Sequence, residues 1–387
     1  MYQFYEDYCL AQAEKNRLRA LPQIDATVVH DFSSNDYLGL SMHPDIIDAA
    51  TEAARHWGVG STGSRLLSGN NGLTEAFEAQ IAQDKETEAA LIFCSGYQAN
   101  MTVLASLLHK RVLNTPPLVF FDRLNHSSLY NALFLSGAEY VLFEHNDMDD
   151  LQRQLEKHSA ASRPAFIVAE TVHGMEGDLL PLADMAVIAA DYNCFLYLDE
   201  AHATGLYGPR GYGLSTTVDL SQIPHLVMGT FSKAIGGAGA YIACTEGLKK
   251  FVLNRTAGFI YSTAPSPMSV AAAARAWEMV ATLDEQRQRL FATSSLLRRR
   301  LREAGLTVLG DGTNLVPVCL GPEAETLALK SALLNDGMQV SAIRPPTVPT
   351  GTSRLRIAVN ARHDEETIVA LSDAIGRHMF GASGRSA

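Results

Sequence analysis

HLVMGTFSKAIGGAG, residues 225–239, decides how the rest of the chain is read. Leu226, Val227 and Met228 form a short apolar run of the kind that makes a buried strand. The run passes through Gly229, Thr230 and Ser232 to a single lysine, Lys233, and then opens into small residues. Two readings fit this window. One is a solvated lysine in a glycine-rich loop; the other is a Schiff-base lysine whose neighbours hold a phosphate.

Similar runs lie upstream. AALIFCSG (89–96), PLVFFD (117–122), YVLFEHN (140–146), PAFIVAET (164–171) and CFLYLDEAH (194–202) are short, apolar and rich in branched or aromatic residues. Helical stretches stand between them, beginning near Tyr97, near Ser127 and over 182–192. Unbroken apolar strands alternating with helices predict an α/β fold with a mainly parallel sheet covered on both faces. Such sheets collect ligands at the carboxyl ends of their strands. Ser95, Asp122 with His126, Glu170, Asp199 with His202, and Lys233 all fall at those ends.

The flanks add further pieces. Residues 1–43 read as an N-terminal segment: a helix over 1–20, with Tyr2, Tyr5 and Cys9 on one side, then extended chain through the turn-rich HDFSSNDYLGL (30–40). Pro44 suits a first helical turn, opening a helix to Trp57. GVGSTGSRLLSGNNG (58–72) fits neither GxGxxG nor GxxxxGK[ST] and reads as a loop, at a ligand, a subunit contact or the open surface. A large domain over 44–284, a small α+β domain over 285–380 and a frayed tail over 381–387 are expected.

Composition sets outer bounds. The 387 residues are 47% hydrophobic and 19% charged, as in an ordinary globular protein with a large interior. A net charge of -11 argues against non-specific binding to nucleic acid or anionic membranes. The five cysteines show no CxxC pair and no metal-like spacing, so free thiols in a reducing compartment are expected. With no secretory start and no apolar run of spanning length, the expected location is the cytoplasm. No metal is expected.

Lys233 and Asp199 together suggest a specific chemistry. Asp199, at the end of a buried strand, needs a partner, either as a cap on the next turn or as a carboxylate opposite a cofactor. Pyridoxal phosphate needs a lysine for its aldehyde and a carboxylate to keep its ring nitrogen protonated. His126 offers a flat imidazole for the ring face, and His202 offers a donor for the phenolic oxygen. Ser95, Gly96 and Tyr97 at a helix start present amides suited to a phosphate, with Thr230 and Ser232 adding hydroxyls.

These motifs carry a resemblance. D-E-A-H-A-T-G (199–205), G-T-F-S-K (229–233), S-G-Y-Q-A-N (95–100) and S-N-D-Y-L-G-L (34–40) resemble the α-oxoamine synthases, in order and spacing, from about residue 30 to 370. That family implies the fold-type I architecture of pyridoxal-phosphate transferases, with a mostly parallel seven-stranded sheet flanked by helices, and a homodimer. It also implies decarboxylative condensation of an amino acid with an acyl thioester. AIRPPTVPTGTSRLR (342–356) most resembles the biotin-pathway branch, which joins L-alanine to a pimeloyl thioester on coenzyme A or a carrier protein. By position, the resemblance makes Lys233 the Schiff-base lysine, Asp199 the ring-nitrogen partner, His126 the stacking histidine and His202 the contact to the phenolic oxygen. Ser95, Gly96, Tyr97 and Thr230 would hold the phosphate, with Ser262 or Thr263 reaching in from a second subunit. Arg354 would take the substrate carboxylate, with Asn35, Arg19 and Thr347 also on the substrate; Arg17 competes with Arg19.

Two departures stand out. The family pattern E-x-V-[FY]-S-M-D-G-D appears as ETVHGMEGD (170–178), so Gly174 replaces a serine, and Thr74 stands where many members have histidine. Rival readings are a sister synthase using glycine and acetyl-CoA or a longer acyl donor, a plain aminotransferase, and a catalytically silent partner subunit. Lys233, Asp199, His126 and His202 together argue against the silent subunit.

Overall fold

A computed structural model describes residues 1–21, 28–158 and 163–381; most of the expected tail, from residue 382 on, lies outside them. The chain forms two compact units. One comprises Leu38–His173 and Leu179–Glu285; the other comprises Met1–Tyr37, Gly174–Asp178 and Gln286–Ala387.

The apolar runs form the sheet of the larger unit. Across it stand Ala89–Phe93, Ala240–Cys244, His225–Thr230, Phe195–Asp199, Ala165–Glu170, Leu118–Asp122 and Glu139–Phe143. Only Ala240–Cys244 runs against the others, pairing antiparallel with both neighbours. Strands such as Leu118–Asp122 and Ala240–Cys244 are buried at every position, as their unbroken apolar sequences require when helices cover both faces. Glu139–Phe143, at one edge, is largely open instead. Burial of a Val, Leu or Phe side chain contributes about 1.5–3 kcal/mol, so the central strands anchor this unit.

Helices flank the sheet. Pro44–Trp57 begins with proline at its first position, as expected, and ends at Gly58 with φ +84°. Ser127–Ser136 is capped at its start by His126 and closed by left-handed Gly137. The helix expected from Tyr97 has an internal change of pitch. Gly96–Ala99 is α-helical, Asn100–Leu104 is a π-turn, and Ala105–Leu107 resumes the α-helix. π-turns of this kind commonly accompany functional positions.

Trp277, fully buried, stacks on Tyr212 at 4.9 Å and donates from Nε1 to Asp84 Oδ2 at 2.8 Å. Lys85 and Glu200 form an ion pair with both side chains fully buried. Lys85 Nζ also donates to Tyr212 O at 2.6 Å and Ser215 Oγ at 2.7 Å, and Ser215 N donates to Glu200 Oε1 at 2.6 Å. These extra bonds satisfy a charge pair that burial would otherwise penalise by several kcal/mol. They also fix the chain immediately after Asp199.

The smaller unit holds a four-stranded antiparallel sheet in the order Ser341–Ile343, Ser353–Ala358, Leu315–Gly321, Thr307–Val308. Helices Asp284–Glu303, Glu323–Asn335 and Glu365–Phe380 accompany it. A short parallel pairing joins His30–Asp31 to Met338–Gln339. The helix Tyr2–Glu14 forms as expected but buries none of its residues.

Candidate active site

Parallel register brings the chemistry to one sheet edge. Glu170 is paired with Asp199 at the ends of neighbouring strands, and Asp199 lies beside Met228 of the next strand, two residues before Thr230. Asp199 is almost wholly buried. Its Oδ1 accepts from Ala201 N at 2.8 Å and its Oδ2 from Asn100 Nδ2 at 2.6 Å. Asn100 is itself held: its Oδ1 accepts from Tyr197 Oη at 3.0 Å, and its Nδ2 lies 3.0 Å from Ser128 Oγ. Ser128 Oγ in turn lies 2.8 Å from His126 Nδ1. A polar chain therefore runs from Tyr197 through Asn100 to Asp199 and, by Ser128, to His126. Nothing in the motif S-G-Y-Q-A-N marks Asn100 for this role; it stands at the start of the π-turn.

Electrostatics tie His126, Asp199, Glu170 and Lys233 into one cluster. The His126 pKa is lowered from 6.5, first by desolvation and also by the Lys233 charge, while Asp199 opposes the shift. Neutral imidazole is the favoured form at neutral pH, and a neutral ring can stack on another ring. Glu170 is pushed well above 4.5, first by burial and then by the Asp199 charge, with Lys233 and the His126 N–H pulling the other way. Burial beside a second carboxyl group thus favours the protonated form of Glu170.

Lys233 sits within a tightly bonded turn. Phe231 N donates to Gly239 O at 2.9 Å, Gly237 N to Phe231 O at 2.7 Å and Gly236 N to Lys233 O at 2.8 Å. Thr230 Oγ1 lies 2.9 Å from both Ser232 Oγ and Gly239 O. Gly229 is required by close packing, because a Cβ there would come within 2.4 Å of the Tyr241 ring and 2.5 Å of Thr204 Oγ1. His202 is buried in the turn after Asp199.

Ser95 caps the helix at Gly96, its side chain accepting from Gln98 N at 3.2 Å. The first amides of a helix have no partner within it, and here they belong to Gly96 and Tyr97. Tyr97 meets the His126 ring edge-on at 6.5 Å between centroids and accepts from Asn131 Nδ2. Ser262 Oγ accepts from Gln98 Nε2 at 2.7 Å within the same chain. Thr263, exposed at its side chain, bridges to Ser64 through the backbone. Thr74 takes a structural place, its Oγ1 donating to Asn71 Oδ1 at 2.9 Å at a helix start.

The remaining expected residues belong to the smaller unit. Arg354 Nη1 forms an ion pair with Glu176 Oε1 at 2.9 Å and donates to Met175 O at 3.1 Å. Arg356, two residues on and also buried, meets only neutral partners among the described residues. These are Gly174 O at 2.6 Å, Asn35 Oδ1 at 3.2 and 3.3 Å, and Tyr37 Oη at 3.3 Å. Nothing in the R-L-R pattern itself singles out Arg356. Arg19 Nη2 donates to Thr347 Oγ1 at 3.0 Å, bringing two of the expected substrate residues together. Arg17 is held elsewhere, by Glu323 at 2.7 Å.

The donor set fits pyridoxal phosphate: a lysine, two adjacent carboxyl groups, a half-desolvated imidazole and open helix-start amides at one sheet edge. Comparisons agree. A model of the aminotransferase class I and II family matches residues 27–375. A putative 8-amino-7-oxononanoate synthase of Magnetococcus marinus is 43% identical over 353 residues, covering 91% of this chain and 89% of that protein. The 8-amino-7-oxononanoate synthase of Gluconacetobacter diazotrophicus is 42% identical, covering 92% and 90%. Serine palmitoyltransferase of Sphingomonas wittichii superposes with a TM-score of 0.87 at 26% identity, over 97% of this chain and 96% of that one. A high-resolution structure of SPT with PLP superposes at 0.86, also at 26% identity and with the same coverage.

Proposed function

The chain belongs to the class I and II aminotransferase family, in its α-oxoamine synthase branch, and from that premise we propose that it makes 8-amino-7-oxononanoate. The reaction joins L-alanine to a pimeloyl thioester and releases carbon dioxide and the free thiol, a step of biotin synthesis. The observation that carries this reading is the clustering of Lys233, Asp199 and His126 at one sheet edge. No helix among the described residues is long and apolar enough to cross a membrane, which accords with a cytoplasmic enzyme.

Bound pyridoxal phosphate supplies an aldehyde that condenses with amines and a ring that draws electron density from the amino-acid α-carbon. Everything else falls to the chain. Asp199, fixed by Asn100 and Ala201 N, would keep a proton on the ring nitrogen. Neutral His126 would offer its imidazole to the ring face, and His202 would donate to the phenolic oxygen. The Gly96 and Tyr97 amides, with Ser95 and Thr230, would hold the phosphate. Lys233 would hold the cofactor aldehyde through its amine and, once that amine is free, would take the α-proton and later return one.

For the alanine carboxylate we assign Arg356 rather than Arg354. A guanidinium already paired with Glu176 has less to offer a second carboxylate than one whose partners are neutral. Arg19, beside Thr347, is assigned to the distal end of the acyl chain. A homodimer is part of this reading, with Thr263 serving the neighbouring copy.

The test is direct. Purified protein with cofactor, L-alanine and pimeloyl-CoA, or the pimeloyl carrier protein, should release thiol and carbon dioxide in equal amounts. Lys233→Ala should lose both that turnover and the visible absorbance of lysine-bound cofactor. Turnover surviving in the variant would overturn the assignment.

A further inference from the structure

Beside the strand ends that form the active site, three side chains face one another without a role in the proposed reaction. Asp122 closes Leu118–Asp122, His145 follows Glu139–Phe143, and His173 follows Ala165–Glu170. One potential ligand atom from each lies within 4.8 Å of the other two, the only such cluster among the described residues. The two imidazole centroids are 4.2 Å apart with their planes at 80°, so the rings do not stack face to face. Asp122 and His173 are buried and His145 is half-buried.

We infer that Asp122, His145 and His173 form a binding site for a divalent cation of the Zn2+ type. Two imidazoles and one carboxylate make a nitrogen–oxygen donor set preferred by Zn2+ and Co2+ over Mg2+ or Ca2+. The carboxylate is pre-positioned by the backbone: Oδ1 accepts from Leu124 N at 2.8 Å and Oδ2 from Asn146 N at 3.1 Å. His145 Nδ1 lies 3.0 and 3.1 Å from the two oxygens. Ligands about 2.1 Å from a tetrahedral ion stand roughly 3.4 Å apart, so this edge of the triangle already suits one. The His173 corner needs to close by at most roughly 1.4 Å by the same geometry, a movement within reach of side-chain rotation.

A second observation concerns the outer shell. Ligating histidines usually donate their other ring nitrogen to an oxygen. Asn146 Nδ2 lies 3.4 Å from His145 Nε2, while Asn146 Oδ1 is buried with no hydrogen-bond partner. Turning that carboxamide over places Oδ1 where a metal-bound His145 would present Nε2–H, in exchange for the 3.2 Å bond that Nδ2 now donates to Leu179 O. His173 also marks this chain's departure from the family pattern, which carries phenylalanine or tyrosine there. The bound ion would tie together the chain after three adjacent strands, and it leaves a coordination position for water.

The experiment uses chelator-treated holoenzyme and Co2+ as the probe. Equilibrium dialysis should find one Co2+ per chain, with visible ligand-field bands that Zn2+ abolishes by displacement. His173→Phe replaces one ring by another of similar size and should lose at least tenfold in Co2+ affinity while keeping its circular dichroism and cofactor content. His145→Gln should do the same. Absence of bound Co2+ in the parent protein would overturn the site, and so would undiminished binding in His173→Phe. Neither result bears on the lysine-dependent reaction, which is read separately.

Discussion

At the scale of single residues, the contrast between Arg354 and Arg356 is the most consequential. Residues two apart in a strand share a face, so the pattern R-L-R gives the two guanidiniums equal claims. Only the fold separates them, by seating Glu176 on Arg354 and leaving Arg356 with neutral oxygens. If Arg356 binds the amino-acid carboxylate, Arg356→Ala removes a charge-assisted contact worth about 1.5–3 kcal/mol. The KM for L-alanine should rise by roughly 10- to 150-fold, with the KM for the thioester little changed. Arg354→Ala should instead loosen residues 174–178 and lower thermal stability more than alanine affinity. Equal alanine effects from both variants would show that the ion pair does not discriminate them.

At the scale of elements, parallel pairing places Glu170 and Asp199 side by side, and that adjacency has a pH consequence. Folding raises the Glu170 pKa above 4.5. Above that pH the unfolded chain has released the proton while the folded chain still holds it. Stability therefore falls as pH rises, by up to about 1.4 kcal/mol per unit, until the folded-state pKa is reached. Glu170→Gln keeps the uncharged shape and an acceptor for the His126 N–H. Its urea midpoint should fall less steeply than that of the parent as pH rises from 4.5, and the variant should be the more stable of the two at alkaline pH. Parallel pH profiles would mean that Glu170 is ionised in the native state. Sequence periodicity revealed the strands well, because strands buried on both faces must be apolar throughout, and it put Lys233, Asp199 and His126 at their ends. It did not show the neutrality of Glu170, the π-turn that aims Asn100, or the meeting of His145 with His173. Each of those depends on register or on contacts between distant segments, which composition and spacing do not encode.

At the scale of the whole molecule, the larger unit has an apolar surface that one copy leaves open. Tyr261 and Leu67 are each 84% exposed and Val59 is 75% exposed, in segments stitched together by Ala264 N to Gly63 O at 2.9 Å and Ser61 Oγ to Pro265 O at 2.5 Å. Exposed aromatic and aliphatic groups clustered on paired loops are typical of a surface that a partner covers. The segment also adjoins the helix start at Gly96, to which the proposed function gives the phosphate, since Ser262 is bonded to Gln98. Association and cofactor retention should therefore be coupled. In analytical ultracentrifugation the protein should sediment at about twice the 41.9 kDa chain mass. Tyr261→Asp together with Leu67→Asp should shift it to the monomer and weaken cofactor binding at least tenfold, read by loss of absorbance on dilution. A dissociated variant that holds its cofactor normally would place the dimer contact away from this surface's connection to the phosphate. A parent protein that sediments as a monomer would remove the neighbouring copy, and with it the role given to Thr263.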